Sequence, residues 1–172
     1  KRVFPVMVGT SGEDPRGDGR KERWRLLERT LVLVKPDGVQ RRLVGEIISR
    51  LERRGLKLLG MKLLKPSRSL AEKHYESLKD RPFYPSLIDF LTSGPVVAMV
   101  WEGPKAVEAV RQTLGATDPL KAAPGTIRGD LGLHIQMNLA HGSDSPETAE
   151  REVNLWFSPE ELVTWKAADE GS

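Results

Sequence analysis

The chain has 172 residues, 38% of them hydrophobic and 30% charged, the balance of one globular domain large enough to bury a core without staples. It has no cysteine, which excludes disulfides, thiol nucleophiles and thiolate metal sites, and its three histidines, His74, His134 and His141, are too few for a histidine-rich metal centre. A net charge of +3 argues against nucleic acid as a principal partner and suits the attraction of small anions.

In chain order, residues 1–27 are basic, glycine-rich and without apolar period. They read as an N-terminal extension, either a solvated tail or the remnant of an organelle-targeting leader. Glu13, Asp14, Asp18 and Glu22 weigh against the leader. A domain over 28–166 follows, with a polar tail at 167–172. Thr30 to Val34 predicts a buried strand, broken by the turn chemistry of Lys35-Pro36-Asp37-Gly38. Val44, Ile47, Ile48 and Leu51 fall at i, i+3, i+4 and i+7 and predict a helix over 44–54, closed by Gly55. Leu56 to Leu64 is a second strand. Ser69 and Glu72 have capping-box spacing and predict a helix over 70–78, stopped by Pro82.

A short helix over 86–92 leads into an apolar strand from Pro95 to Trp101. Ala106, Val107, Val110 and Leu114 predict a helix over 105–114. Residues 115–132 carry no period and read as a long functional loop. Leu133 to Leu139 is the last expected strand. Pro146 opens a helix through Ala149, Val153 and Trp156, and 157–165 holds a last short helix. The order is βαββαβ with insertions. It predicts a ferredoxin-like α/β (α+β) fold: an antiparallel four-stranded sheet covered by helices, with the long loop before the last strand.

No glycine-rich phosphate loop of the Gly-x-x-x-x-Gly-Lys or Gly-x-Gly-x-x-Gly type is present, and no protein-kinase motif set. Phosphate chemistry here needs another device. Asn138-Leu139-Ala140-His141-Gly142-Ser143-Asp144-Ser145 offers one, since a neutral imidazole is a good nucleophile near pH 7. Gly142 is expected to leave room for a phosphoryl group beside the ring, and Ser143 or Asp144 to cap the next helix. On this segment alone, a histidine that merely closes a turn is the plainer reading. Lys35, Arg111, Thr117 and Arg128 add cations and donors, though each singly reads as a solvated charge or turn residue.

Taken together, these residues resemble the nucleoside diphosphate kinases over about Glu28 to Trp165. The resemblance rests on six blocks in order: Val34-Lys35-Pro36-Asp37-Gly38-Val39, His74-Tyr75, Arg81-Pro82-Phe83-Tyr84, Gly94 to Val100, Pro124 to Asp130, and Asn138 to Asp144. It implies that His141 carries the phosphate, oriented by Glu152 and Ser143. Lys35 and Asn138 would bind the ribose hydroxyls, and Lys35 would reach phosphate with support from Tyr75. Arg81, Arg111, Thr117 and Arg128 would hold the phosphates, and Phe83 would stack on the base above Ile135. Stacking tolerates every base, because each has a π-face. The implied reaction is ping-pong, with nucleoside di- and triphosphates as substrates and Mg2+ carried on their phosphates rather than by protein ligands.

The family usually has Gly-Arg where this chain has Gln136-Met137, and a larger residue where it has Ala140, so a looser histidine pocket is expected. Arg41-Arg42-Leu43, the basic N-terminal extension and the ending Leu162-Val163-Thr164-Trp165 look most like the mitochondrial branch, with a cytoplasmic location the alternative. The resemblance further implies a homo-hexamer meeting near Pro119. Lys79-Asp80-Arg81 stands where some mitochondrial members touch lipid, which here implies a weak anionic-membrane contact at most. A reading of another class, adhesion, rests on the tripeptides Arg16-Gly17-Asp18 and Arg128-Gly129-Asp130.

Overall fold

The computed structural model describes residues 27–170. The expected leader remnant and the first tripeptide fall on residues 1–26, outside the described residues. Four antiparallel strands, β1 (Leu27–Val34), β2 (Lys57–Leu64), β3 (Val96–Pro104) and β4 (Ala140–Gly142), form one sheet in the order β2-β3-β1-β4. This is the ferredoxin-like arrangement. The inner strands are near-continuous apolar runs because both of their faces are covered.

The helices are α1 (Pro36–Gln40), α2 (Val44–Arg53), α3 (Arg68–His74), α4 (Tyr84–Leu91), α5 (Ala106–Leu114), α6 (Ile127–Leu131) and α7 (Pro146–Trp156). Alternation along each strand sorts side chains between two cores. Val32, Val34, Met99 and Trp101 pack with Ile47 and Leu51 of α2 and Val110 and Leu114 of α5. Leu31, Leu33, Ala98 and Val100 pack on the opposite face with Ala71 of α3, Ile88 and Leu91 of α4, and Val153 and Trp156 of α7. Each fully buried side chain of this size is worth about 1.5–3 kcal/mol, so the two cores hold the sheet from both sides.

Five expectations are corrected. The strand expected at Leu133 to Leu139 lies instead at Ala140–Gly142. Leu133, Ile135 and Met137 are exposed, because the free edge of β1 is already taken by β4. His141 therefore sits within a strand rather than after one. The α3 cap is Ser67, whose side chain accepts from the Leu70 amide, and the helix ends at His74; Glu76–Leu78 is a separate 3-10 turn. The long loop contains a 3-10 turn at Pro119–Lys121 and α6, each capped by its own side chain, Asp118 and Thr126. In 157–165 only Pro159–Glu161 is helical, as a 3-10 turn. Gly55, at φ +96°, closes α2 as expected.

Candidate active site

β4 positions the reactive histidine by alternation. His141 pairs with Leu33, and its side chain shares the face covered by α3, α4 and α7. Gly142 pairs with Val32 and faces α5, where a Cβ would stand 2.9 Å from Val110 Cγ1 and 3.0 Å from Leu114 Cδ1. The glycine is thus demanded by the packing of α5, not by room for a phosphoryl group. Ala140 also belongs to the α5-side core, so its small size does not loosen the histidine pocket.

α7 brings the partner carboxylate. Its cap is Ser145, which accepts from the Thr148 amide, rather than Ser143 or Asp144, and Pro146 takes the first turn. Ala149, Glu152, Val153 and Trp156 form its buried stripe, so Glu152 lies under the sheet. Its Oε1 is 2.9 Å from His141 Nε2 and accepts from the Ser143 hydroxyl at 2.7 Å. Burial alone would raise the Glu152 carboxyl, but His141, His74 and Ser143 together hold it below the usual range. An ionised carboxylate accepts only, so Nε2 carries the proton, and His141 Nδ1 meets no hydrogen-bond partner among the described residues. The His141 side chain is 22% exposed, open to a substrate despite the exposed Met137 nearby in sequence.

His74 packs edge-on against His141, with ring centroids 4.5 Å apart, and edge-on against Tyr75 at 4.7 Å. Trp156 Nε1 donates to His74 Nδ1 at 3.1 Å. Burial, then the neighbouring His141, pushes His74 down to about 3, so it is neutral. Burial pushes Tyr75 up to about 12, so its phenol keeps its proton. His74, His141 and Glu152 offer potential metal-ligand atoms within 4.8 Å of one another. They do not fit Mg2+, which prefers oxygen donors, and Trp156 already occupies the Nδ1 lone pair of His74.

The cations converge from three elements. Lys35, at the end of β1, has its Nζ 5.7 Å from the Phe90 ring centroid. Burial lowers it to about 8, against the pull of Asp37 and with the push of Arg128. Arg128 is lowered to about 10 by burial and by Arg111. It donates to three carbonyls, Asn138 at 3.1 Å, Gly115 at 3.0 Å and Ala140 at 2.6 Å. One N–H on each terminal nitrogen remains. Asn138 is buried too, its amide donating to the Thr117 carbonyl at 3.0 Å. Both residues brace the loop.

Arg111 and Thr117 line an open cleft of about 750 Å³ with Lys105, Glu108 and Asp144. Arg81, Phe83 and Ile135 are exposed and stand outside the hydrogen-bond network around His141. Arg128 is buried and Asp130 is paired with Arg50 at 2.8 Å, so the second adhesion tripeptide is not a surface loop. Sequence reading missed Asp37, Phe90 and Trp156, and gave His74 no role. Asp37 stood in the quoted Lys-Pro-Asp-Gly block, but its partner is 102 positions away.

The sequence pattern of the nucleoside diphosphate kinase family matches residues 28–162. A nucleoside diphosphate kinase of Symbiobacterium thermophilum is 63% identical over 143 residues, 83% of this chain and 95% of that protein. One from Archaeoglobus fulgidus is 58% identical over 144 residues, 84% and 95% of the two chains. The solved structure of a halophilic nucleoside diphosphate kinase from Halobacterium salinarum, in complex with CDP, superposes with a TM-score of 0.80 at 53% identity, over 82% of this chain and 94% of that one. With a matching pattern over most of its length and relatives of this identity, the chain belongs to the nucleoside diphosphate kinase family.

Proposed function

We propose that this chain moves the terminal phosphoryl group of a nucleoside triphosphate to a nucleoside diphosphate in two half-reactions on His141. The observation that carries the reading is the engagement of Nε2 by Glu152, which leaves Nδ1 as the nucleophile. In the first half-reaction Nδ1 forms a bond to the γ-phosphorus. The bond from that phosphorus to the bridging oxygen breaks, and its electron pair leaves with the diphosphate. The ring gains positive charge, which the Glu152 carboxylate balances. In the second, a terminal oxygen of another diphosphate attacks the phosphorus and the N–P electron pair returns to Nδ1.

Little covalent work is left to the rest of the site, so its task is placement and charge. Lys35, Arg111, Thr117 and the two free N–H groups of Arg128 hold phosphate oxygens, with Arg81 at the entrance and the Tyr75 phenol as a neutral donor. Phe83 and Ile135, both exposed, present apolar surface to the base. Lys35 and Asn138 meet the ribose. Mg2+, if carried in with the nucleotide, would supply charge neutralisation to its phosphates beside Lys35, Arg111 and Arg128. Among the described residues no oxygen-rich cage is formed around His141; Asp144, Glu28 and Glu108, which line the cleft with Arg111 and Thr117, are the carboxylates within it that could meet the ion's water shell. The relative from Halobacterium salinarum was solved with CDP, a ligand of the class proposed here.

Homo-hexamer assembly is part of the proposal by family kinship. A mitochondrial location rests on Arg41-Arg42-Leu43, the basic N-terminal extension and the C-terminal ending; the bacterial and archaeal relatives at 58–63% identity lend it no support. Weak contact with an anionic membrane rests on the exposed Lys79 and Arg81, with Asp80 between them.

The experiment is to incubate the protein with γ-labelled ATP and Mg2+, isolate it, and then add UDP. We expect an alkali-stable, acid-labile label on the protein that moves to UTP. A label that survives His141→Gly, or no label at all, overturns the reading.

A further inference from the structure

Leu139, two residues before His141, stands in the left-handed region at φ +75°. The Ala140 amide donates to the Asn138 carbonyl at 2.9 Å, closing a three-residue γ-turn of positive φ around it. Such turns are rare and strained, and leucine does not adopt them unaided. The Leu139 side chain is fully buried in the α5-side core, so the strain must be imposed by its surroundings. Three contacts impose it. The Lys35 amide donates to the Leu139 carbonyl at 2.9 Å. Arg128 Nε donates to the Asn138 carbonyl at 3.1 Å. The Leu139 amide donates to Asp37 Oδ2 at 3.0 Å.

Asp37 is the member of this set with no part in the reaction as described above. It is 6% exposed, and its other oxygen is buried without a hydrogen-bond partner among the described residues. A buried carboxylate in that state costs stability unless the one bond it makes is worth having. The next residue, Gly38, presses its backbone against the same turn: a Cβ there would lie 2.9 Å from the Leu139 carbonyl oxygen. β4, immediately after the turn, holds three residues, so few bonds of its own fix where His141 stands.

We propose that Asp37 is a positioning residue for phosphoryl transfer: by holding the Leu139 amide it fixes the left-handed turn that delivers His141 onto Glu152. Without that acceptor Leu139 relaxes towards negative φ, the 138–139 peptide rotates, and the imidazole shifts at the end of its short strand. The inference rests on His141 being the phosphate carrier.

The test is single-turnover labelling of the full chain by γ-labelled ATP, with ATP varied, for wild type, Asp37→Ala, Asp37→Glu and Asp37→Asn. Asparagine keeps an acceptor at the same reach and loses the charge. Glutamate keeps the charge and displaces the acceptor. We expect Asp37→Ala and Asp37→Glu to slow labelling roughly 10²-fold, the scale of a misplacement of about 1 Å, while half-saturating ATP changes much less. Asp37→Asn should recover most of that rate. If Asp37→Ala does not fold, the glutamate–asparagine pair decides alone. Wild-type speed in Asp37→Glu overturns the proposal, and so does an Asp37→Asn as slow as Asp37→Glu, which would make charge rather than the turn the cause. A wild-type protein that takes no label would instead sink the assignment of His141.

Discussion

Glu152 Oε1 lies 2.9 Å from His141 Nε2 and 2.7 Å from the Ser143 hydroxyl, so one oxygen orients the ring and is itself held in place. Glutamine in its place can still accept from Nε2 but cannot balance the charge that develops on the ring. Glu152→Gln should therefore slow phosphoenzyme formation by roughly 10²-fold or more, with nucleotide affinity little changed. Rapid-quench labelling checks this; a rate within a few-fold of wild type would remove Glu152 from the mechanism.

Lys35 sets an alkaline limit. Burial brings its amine down to about 8 from 10.5, so it loses its charge early as pH rises. Phosphate binding needs the charged form, and kcat/KM should fall about tenfold per unit above pH 8. Stability runs the other way. Between about 8 and 10.5 the unfolded chain holds the proton and the folded chain does not, so this group's contribution rises with pH over that window. Steady-state rates from pH 6 to 10 with UDP as acceptor test the first claim. Lys35→Arg, which cannot lose its proton there, should abolish the fall.

Gly142→Ala separates packing from chemistry. The new methyl meets Val110 Cγ1 at 2.9 Å and Leu114 Cδ1 at 3.0 Å, on the side of β4 away from the imidazole. Overpacking of this kind costs about 1–3 kcal/mol. Urea unfolding should show that loss, and the double variant with Val110→Ala should recover part of it. If Gly142→Ala is as stable as wild type, the close approach of α5 is not what requires glycine there.

His74 predicts an acid-sensitive component of stability. Its imidazole is held neutral down to about 3, against 6.5 when free, so the unfolded chain binds the proton first as pH falls. Stability is lost through that window by up to about 1.4 kcal/mol per pH unit. His74→Gln can keep an acceptor for the Trp156 indole and does not titrate. Its melting temperature should be lower than wild type at pH 7 and converge on it by pH 5; parallel curves would refute this.

The inner sheet was legible because its strands are buried on both faces, and Leu31 to Val34 and Val96 to Trp101 therefore read as apolar runs. The helix α2 was legible because one of its faces is solvent. The last strand was misread because Leu133, Ile135, Met137 and Leu139 alternate like a half-buried strand, yet the first three are 62%, 57% and 53% exposed. Periodicity reports a pattern, not whether a neighbouring strand has an edge to offer. Ser69 reads as the cap from its spacing to Glu72 alone, whereas the side chain that accepts from the Leu70 amide is Ser67, two residues earlier. His141 stood out from its own segment as a nucleophile and Glu152 was assigned as its partner through the family resemblance, whereas the reason for Gly142 lies on α5 and the reason for Asp37 on Leu139, neither of them local in sequence.

The brevity of β4 makes the identity of the site a matter of parity. His141 and Gly142 look to opposite sides of the sheet, one towards Glu152 and one towards Val110 and Leu114. Adding or deleting a single residue between the Leu139 turn and His141 would hand the imidazole to the side where not even a methyl fits, and two such changes would hand it back. The spacing from turn to histidine is thus fixed modulo two by geometry, before any demand of catalysis is considered.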